Sequence, residues 1–309
     1  MTVKGKVLRI WNYALRIERG KSFFLAILVV LLFASNCGGG SSSGDWADLP
    51  EHLDGGVVIY GDSRTGHSMH EWLMEGMASI TPEAVFHTGD LVNDGRVADN
   101  WTTFNNIASQ LPSGTPIYPA LGNHEHESSL YFENFELPGN ERWYSVDDIE
   151  GVNFIVLDTG SALAAATTAA PASSQYQWLE SELSSSVSST DFTIVTFHYP
   201  LYSTGQHGSD EKHIAADLVP LFEQYGVDAV FNGHDHDYER STVNGIRYIV
   251  AGGGGAPLRN QAGSSVYSEL YLKSHHFCVL YFNGEGNLIV EVWNDDVELI
   301  DRFTIDQLN

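Results

Sequence analysis

Five short polar groups in this sequence carry side chains able to do metal or acid–base chemistry. They are Gly61-Asp62-Ser63-Arg64, Gly89-Asp90-Leu91-Val92-Asn93, Gly122-Asn123-His124-Glu125, Phe197-His198-Tyr199-Pro200 and Gly233-His234-Asp235-His236. Their donors are carboxylate and amide oxygens and imidazoles, without a thiolate. Such a set suits Zn, Fe, Mn or a similar divalent ion better than a sulfur-ligated structural site or a calcium cage. His234 and His236 alternate, so an extended chain turns both rings to one face. A single Gly-Asp is commonly a turn. Five such groups, each closing an apolar run, are expected to converge on one crevice. The glycine that opens four of them is expected to let the chain turn sharply there.

The apolar runs themselves are short: Val57–Tyr60, Ala84–His87, Ile117–Leu121, Phe192–Phe197 and Val227–Phe231. Between them lie segments with helical spacing, His67–Ile80, Val97–Leu111, Pro171–Ser185 and His213–Tyr225. Strand alternating with helix predicts an α/β fold whose sheet is covered on both faces. In such sheets ligands sit beyond the carboxyl ends of strands, where all five groups fall. A second set, Trp143–Val146 with Asn153–Asp158, then Arg247–Ala251, Phe277–Phe282, Asn287–Trp293 and Leu299–Ile305, predicts antiparallel strands, with Asn283-Gly284-Glu285-Gly286 as a turn. Two facing sheets with helices outside is the simplest assembly. Ala162–Ala172 reads as a surface excursion. Trp72, Trp101 and Trp178 are expected in the core, as is Cys278. His87, His213, His275 and His276 are expected at the surface or as satisfied polar groups.

The order of the five groups resembles that of the calcineurin-like metallophosphoesterase superfamily, and His234-Asp235-His236-Asp237-Tyr238-Glu239-Arg240 is similar to a motif of its purple acid phosphatase branch. Gln177-Trp178-Leu179-Glu180, Phe197–Ser203 and Val250–Gly255 fit that branch too. The resemblance covers about residues 56–258 and implies a four-layer α/β/β/α sandwich of two mixed β-sheets flanked by helices. It also implies two metal ions, Fe, Mn or Zn. Asp90 would bridge them, one taking Asp62 and His236 and the other Asn123, His198 and His234. His124 would contact phosphate and protonate the leaving alkoxide, and His207 would be a second phosphate-binding histidine. A hydroxide held by the metals would attack a small phosphate monoester; phosphodiesters of nucleotides or lipid head groups, or metal and phosphate binding without turnover, are the alternatives.

The sequence departs from the branch at the first metal. The branch's metal-binding tyrosine is replaced by Asn93, and the histidine that other members place two residues after the first aspartate is replaced by Arg64. His70 is the favoured substitute ligand because it opens the helix beside Asp62. His67, Asn93, a water molecule or a weak first site are the alternatives. Arg64 would hold the phosphate or neutralise the carboxylates. One of Glu125, His126 and Glu127 is expected to orient a ligand histidine.

Charge divides the chain unevenly. The 309 residues carry a formal net charge of -25, yet residues 1–36 hold six bases and one acid, which leaves nine bases against 39 acids for the rest. A body this acidic excludes bulk nucleic acid as a preferred partner. After the basic stretch, Ser22–Ala34 is uncharged and almost wholly apolar, followed by Ala34-Ser35-Asn36-Cys37 and a Gly/Ser run. This resembles the signal of bacterial lipoproteins. It predicts a signal peptide over 1–36, a lipid anchor at Cys37, a tether over 37–55 and a phosphoesterase domain over 56–309, exported and membrane-attached.

Overall fold

Each central strand is buried on both faces, which is why the sequence shows continuous apolar runs instead of alternation. In β1 (Val57–Tyr60), Val57 and Ile59 face one hydrophobic cluster, while Val58 and Tyr60 face another. The computed structural model describes residues 44–149, 151–159, 171, 173–186 and 192–308. The leader over 1–36, Cys37 and residues 162–170 of the expected excursion lie outside them.

The first sheet has the order β13-β12-β11-β1-β2-β3. Parallel β1, β2 (Val85–His87) and β3 (Ile117–Pro119) are joined to antiparallel β11 (His276–Phe282), β12 (Leu288–Asn294) and β13 (Leu299–Ile305). The second sheet has the order β10-β8-β9-β7-β6-β5-β4. It is built from β4 (Tyr144–Ile149), β5 (Val152–Val156), β6 (Phe192–Thr196), β7 (Ala229–Asn232), β8 (Tyr238–Val243), β9 (Ile246–Ala251) and β10 (Ser268–Leu272). Both sheets are mixed, and they face each other across one core that includes Ile59, Phe86, Phe154, Ile194, Phe231, Ile249 and Val290. Phe86 and Phe154 stack across it with centroids 4.2 Å apart.

Helices close the outer faces. Leu73, Met74 and Met77 of α1 (His67–Ser79) and Ile107 of α2 (Ala98–Ala108) pack on the first sheet. Leu179 and Leu183 of α4 (Ser174–Ser186) and Leu218, Leu221 and Phe222 of α5 (Ala215–Tyr225) pack on the second. A short helix, α3 (Ser129–Asn134), brings Tyr131 against Trp101 and Phe104 of α2. Among the described residues this is the α/β/β/α sandwich expected from the motifs.

Two features differ from expectation. Strand β8 carries mostly polar residues and β10 is a short mixed strand, so no apolar run marked either. The charges of β8 are paired: Arg240 with Asp301 of β13 and with Glu269 of β10, and Glu239 with the Thr204 amide and hydroxyl. The packed domain also begins earlier than residue 56. Two 3-10 turns, Trp46–Asp48 and Glu51–Leu53, lie within the expected tether, yet Trp46 and Leu53 are buried. The Trp46 ring lies against Trp72 and Phe277 and fills the space that the missing side chain of Gly76 leaves on α1. Trp46→Ala is therefore expected to destabilise the domain by about 3–5 kcal/mol, measured by denaturant unfolding. A loss below about 0.5 kcal/mol, the range of ordinary surface changes, would make this segment a mere tether.

Candidate metal centre

The turns after the parallel strands bring donors together at the carboxyl ends of both sheets. Asp62, Asp90 and His234 each take a left-handed backbone conformation, with φ of 59°, 58° and 68°. That is costly for residues with a side chain, and such conformations concentrate at functional sites. The glycines do a different job from the one expected. Gly89 is itself left-handed, but a Cβ at Gly122 would collide with the backbone amide and Oδ1 of Asp90, and one at Gly233 with Asp62 Oδ2. Most of these glycines allow strand ends to approach closely instead of turning the chain.

On one side of Asp90, four ligand atoms converge. His198 Nε2 lies 3.1 Å from Asn123 Oδ1, 3.3 Å from His234 Nδ1 and 3.4 Å from Asp90 Oδ1. The other nitrogens of these rings are already spoken for. His198 Nδ1 donates to the Thr88 carbonyl at 3.0 Å, and His234 Nε2 donates to Glu211 Oε2 at 2.8 Å. This fixes both tautomers, so the inward nitrogens present lone pairs. Lone pairs then face lone pairs, an arrangement that is repulsive unless a cation lies among them. Burial lowers the affinity of both rings for protons, which keeps them neutral and fit to ligate.

On the other side, Asp62 Oδ1 is buried without a hydrogen-bond partner and lies 3.6 Å from His236 Nε2. His236 Nδ1 donates to the Pro257 carbonyl at 2.9 Å, and burial lowers the pKa of this ring to about 3. Burial and the neighbouring Asp90 charge push the Asp62 carboxyl well above the usual carboxylate range. Asp62, Asp90 and His198 each offer a ligand atom within 4.8 Å of the others. The orphaned Asp62 oxygen, the facing lone pairs and the oxygen/imidazole donors together fit two divalent cations astride Asp90.

The sequence model of calcineurin-like phosphoesterase matches residues 57–238, more than half of the chain. The chain belongs to the calcineurin-like phosphoesterase family. Within that family its relatives are purple acid phosphatases. The chain is 34% identical to purple acid phosphatase 18 of Arabidopsis thaliana over 170 residues, which is 50% of this chain and 37% of the relative. It is 36% identical to a purple acid phosphatase of Glycine max over 212 residues, 60% of this chain and 43% of the relative. The chain thus spans less than half the length of either relative. The purple acid phosphatase PPD1 from yellow lupin (Lupinus luteus) seeds superposes with a TM-score of 0.71 at 25% identity, covering 81% of this chain and 53% of the lupin chain.

Around this site the structure sorts the residues named from sequence. It brings together Asp62, Asp90, Asn123, His198, His234 and His236. His124 lies at the rim: its Nδ1 donates to the Asn93 carbonyl at 2.6 Å, and its Nε2 faces Asp90 Oδ2 at 3.8 Å. His207 is held beside His234, with ring centroids 4.1 Å apart and its backbone amide on Asp235 Oδ1 at 2.9 Å. Arg64 lies between the two sides, its Nε 3.4 Å from Asp90 Oδ2 and its Nη2 3.4 Å from His236 Nε2.

His70 is not brought to the carboxylates. It lies one turn into α1, where its Nε2 pairs with the Tyr60 hydroxyl at 3.0 Å and its ring stacks on Phe104. It forms an ion pair with neither Asp62 nor Asp90, and burial lowers its pKa to about 3. His67 is exposed, and Asn93 is exposed and uses its main-chain carbonyl. His87 and Cys278 are buried, the former engaging Ser63 Oγ and the Gly89 amide. His213 is exposed, and Trp72 and Trp178 are only partly buried at the edges of their clusters.

Two carboxylates support the ligands. Glu211, which the motif reading passed over, accepts from His234 and pairs with His207 Nδ1 at 3.2 Å; its spacing of four residues from His207 was the available signal. Glu125 is the one of the three neighbouring polar residues that acts on the site. It accepts from the amides of Asp90, Leu91 and Gly122 at 3.0, 2.9 and 2.7 Å and so ties two ligand loops together. Burial and the Asp90 charge push its pKa up to about 8, against the pull of those amides. Replacing it by Gln turns one acceptor oxygen into a donor aimed at amide N–H groups. Glu125→Gln is expected to cost about 2–3 kcal/mol of stability and to weaken metal binding ten- to hundredfold, read by denaturant melts and chelator competition. Unchanged metal affinity in a folded variant would remove Glu125 from the site's support.

Proposed function

We propose that this chain is an exported, lipid-tethered, metal-dependent phosphatase that releases phosphate from small organic monoesters. Asp62, Asp90 and His236 would hold one cation, and Asp90, Asn123, His198 and His234 the other. Metals held there would neutralise the phosphoryl oxygens and lower the pKa of a water nucleophile.

The observation that carries the reading is the placing of His124. Its Nδ1 proton is committed to the Asn93 carbonyl, so Nε2 is the atom left to exchange a proton, and it faces the bridging carboxylate. A site that only bound metal or phosphate would need no acid aligned there. His207 beside His234 and Arg64 beside Asp90 would supply donors for phosphate oxygens. The strongly acidic body disfavours polyanionic substrates, which supports small esters over nucleic acid. With Mn2+, Zn2+ or Fe2+ supplied, the protein is expected to hydrolyse p-nitrophenyl phosphate faster than bis(p-nitrophenyl) phosphate. His124→Ala should lower kcat about 10²–10⁴-fold and weaken the binding of inorganic phosphate. A folded, metal-loaded protein that hydrolyses neither ester would refute the enzymatic reading, and a preference for the diester would make it a phosphodiesterase.

Membrane attachment rests on the sequence alone: the apolar run Ser22–Ala34, the small residues before Cys37 and the Gly/Ser run after it. Cys37→Ser is expected to abolish labelling by a radioactive fatty acid and to shift the protein from the membrane to the soluble fraction. Labelling that survives the substitution would overturn the lipid anchor.

A further inference from the structure

The two sides of Asp90 differ in one respect that bears on metal loading. At the His198 side every atom facing the centre is an acceptor: Asn123 Oδ1, His198 Nε2, His234 Nδ1 and Asp90 Oδ1. At the Asp62 side a permanent cation is already among the acceptors. The Arg64 guanidinium directs Nη2 at His236 Nε2 and Nε at Asp90 Oδ2, both at 3.4 Å, and its side chain is only 14% exposed. Because His236 Nδ1 donates to Pro257, Nε2 has a single lone pair, and that lone pair cannot serve a metal and Arg64 together. The Asp90 oxygen that would complete the bridge is likewise ion-paired with the guanidinium.

Among the described residues no further protein ligand compensates. His70 is engaged by Tyr60, His67 is exposed, and Asn93 contributes only its carbonyl, to His124. The loop that encloses this side, Gly252–Gly255, brings main chain alone: the Gly254 amide donates to the Gly61 carbonyl and the Ala256 amide to the Asp62 carbonyl, each at 2.8 Å.

We propose that Arg64 competes with the first metal for His236 and Asp90, so that the centre loads in order: the His198 side binds tightly, and the Asp62 side binds weakly and only as the guanidinium swings away. The displaced guanidinium is then available to a phosphate oxygen, so the two roles open to Arg64 become successive positions of one side chain. This rests on the metal set of the preceding reading. When that side holds no metal, the guanidinium gives His236 and Asp90 a partner, while Asp62 Oδ1 is left for a cation to satisfy.

The test is a titration of the full chain in detergent with Mn2+ alone, followed by calorimetry and by the electron paramagnetic resonance signal of free Mn2+. Wild type is expected to bind two equivalents, the second at least tenfold more weakly than the first. Arg64→Met is expected to tighten the second equivalent ten- to hundredfold, the range known for groups beside metal ligands, with the first within about threefold. Arg64→Lys, which keeps the charge, should leave the second equivalent weak, and Arg64→Gln serves as the neutral variant if Arg64→Met does not fold. Asp62→Asn should abolish the second equivalent only, and His198→Ala the first. Equal affinities in wild type, or neutral variants whose second equivalent is no tighter, would overturn the competition and leave Arg64 as a phosphate ligand alone. Failure to bind any Mn2+ in a folded protein would instead defeat the metal reading itself.

Discussion

Acceptor atoms aimed at one another are the constraint around which this structure is organised. Asp62, Asp90 and Glu125 are buried carboxylates within one small volume, and the inward nitrogens of His198, His234 and His236 add lone pairs to it. Such a cluster is unstable by itself, because each buried anion loses hydration and repels its neighbours. Three kinds of positive group answer it. Main-chain amides reach Glu125 and also Asp62 Oδ2, through the His234 amide at 2.8 Å; Arg64 reaches Asp90; cations would complete the rest. The left-handed turns at Asp62, Asp90 and His234 are a consequence of the same demand. They aim side chains and amides inward at a conformational cost of order 1–3 kcal/mol each, which the large core between the sheets can bear.

The geometry is held by main chain more than by neighbouring side chains. Thr88, Pro257 and Asn93 each offer a carbonyl to the outward nitrogen of a histidine, and each belongs to a turn directly after a strand or beside another ligand loop. A carbonyl fixed by the sheet cannot change rotamer, so the tautomer and the ring angle are set once the strands pair. Only His234 depends on a side chain for this, Glu211, which lies on a more exposed loop and also pairs with His207. His234, proposed as a metal ligand, and His207, proposed to face phosphate, are thereby coupled through one carboxylate. On the proposed reading, a substrate anion that drew His207 toward itself would change the partner of the very group that orients His234.

How much of this could be read from sequence follows from what burial does to a pattern. Strands β1, β6 and β7 were legible because double-sided burial leaves uninterrupted apolar runs, and the ligand groups were legible because they end those runs. Strands β8 and β10 were not: the charges of β8 are neutralised by residues distant in sequence such as Asp301, and β10 is a short, partly exposed edge strand. The ligand pattern also pointed to His70 by proximity. An α-helix, however, advances about 1.5 Å per residue, so one turn into α1 the ring lies farther along the helix, where Tyr60 and Phe104 hold it. Glu125 was legible only as one of three adjacent polar residues, because the amides that select it come from a different loop.

The asymmetry between the two sides gives the chain's acidity a local meaning. Nine bases against 39 acids beyond residue 36 create a negative field, which raises the concentration of cations near the surface and lowers that of polyanions. A tight seat such as that around His198 gains little from this, since it fills at low metal concentration in any case. A seat shared with a guanidinium is different: its occupancy depends on the local supply of cations, and hence on ionic strength, because salt screens the field. The acidic surface and Arg64 therefore act in opposite directions on the same equilibrium. With the ordered loading proposed above, the balance between them would make occupancy of the Asp62 side responsive to its surroundings, while the His198 side, made of acceptors alone, would stay loaded.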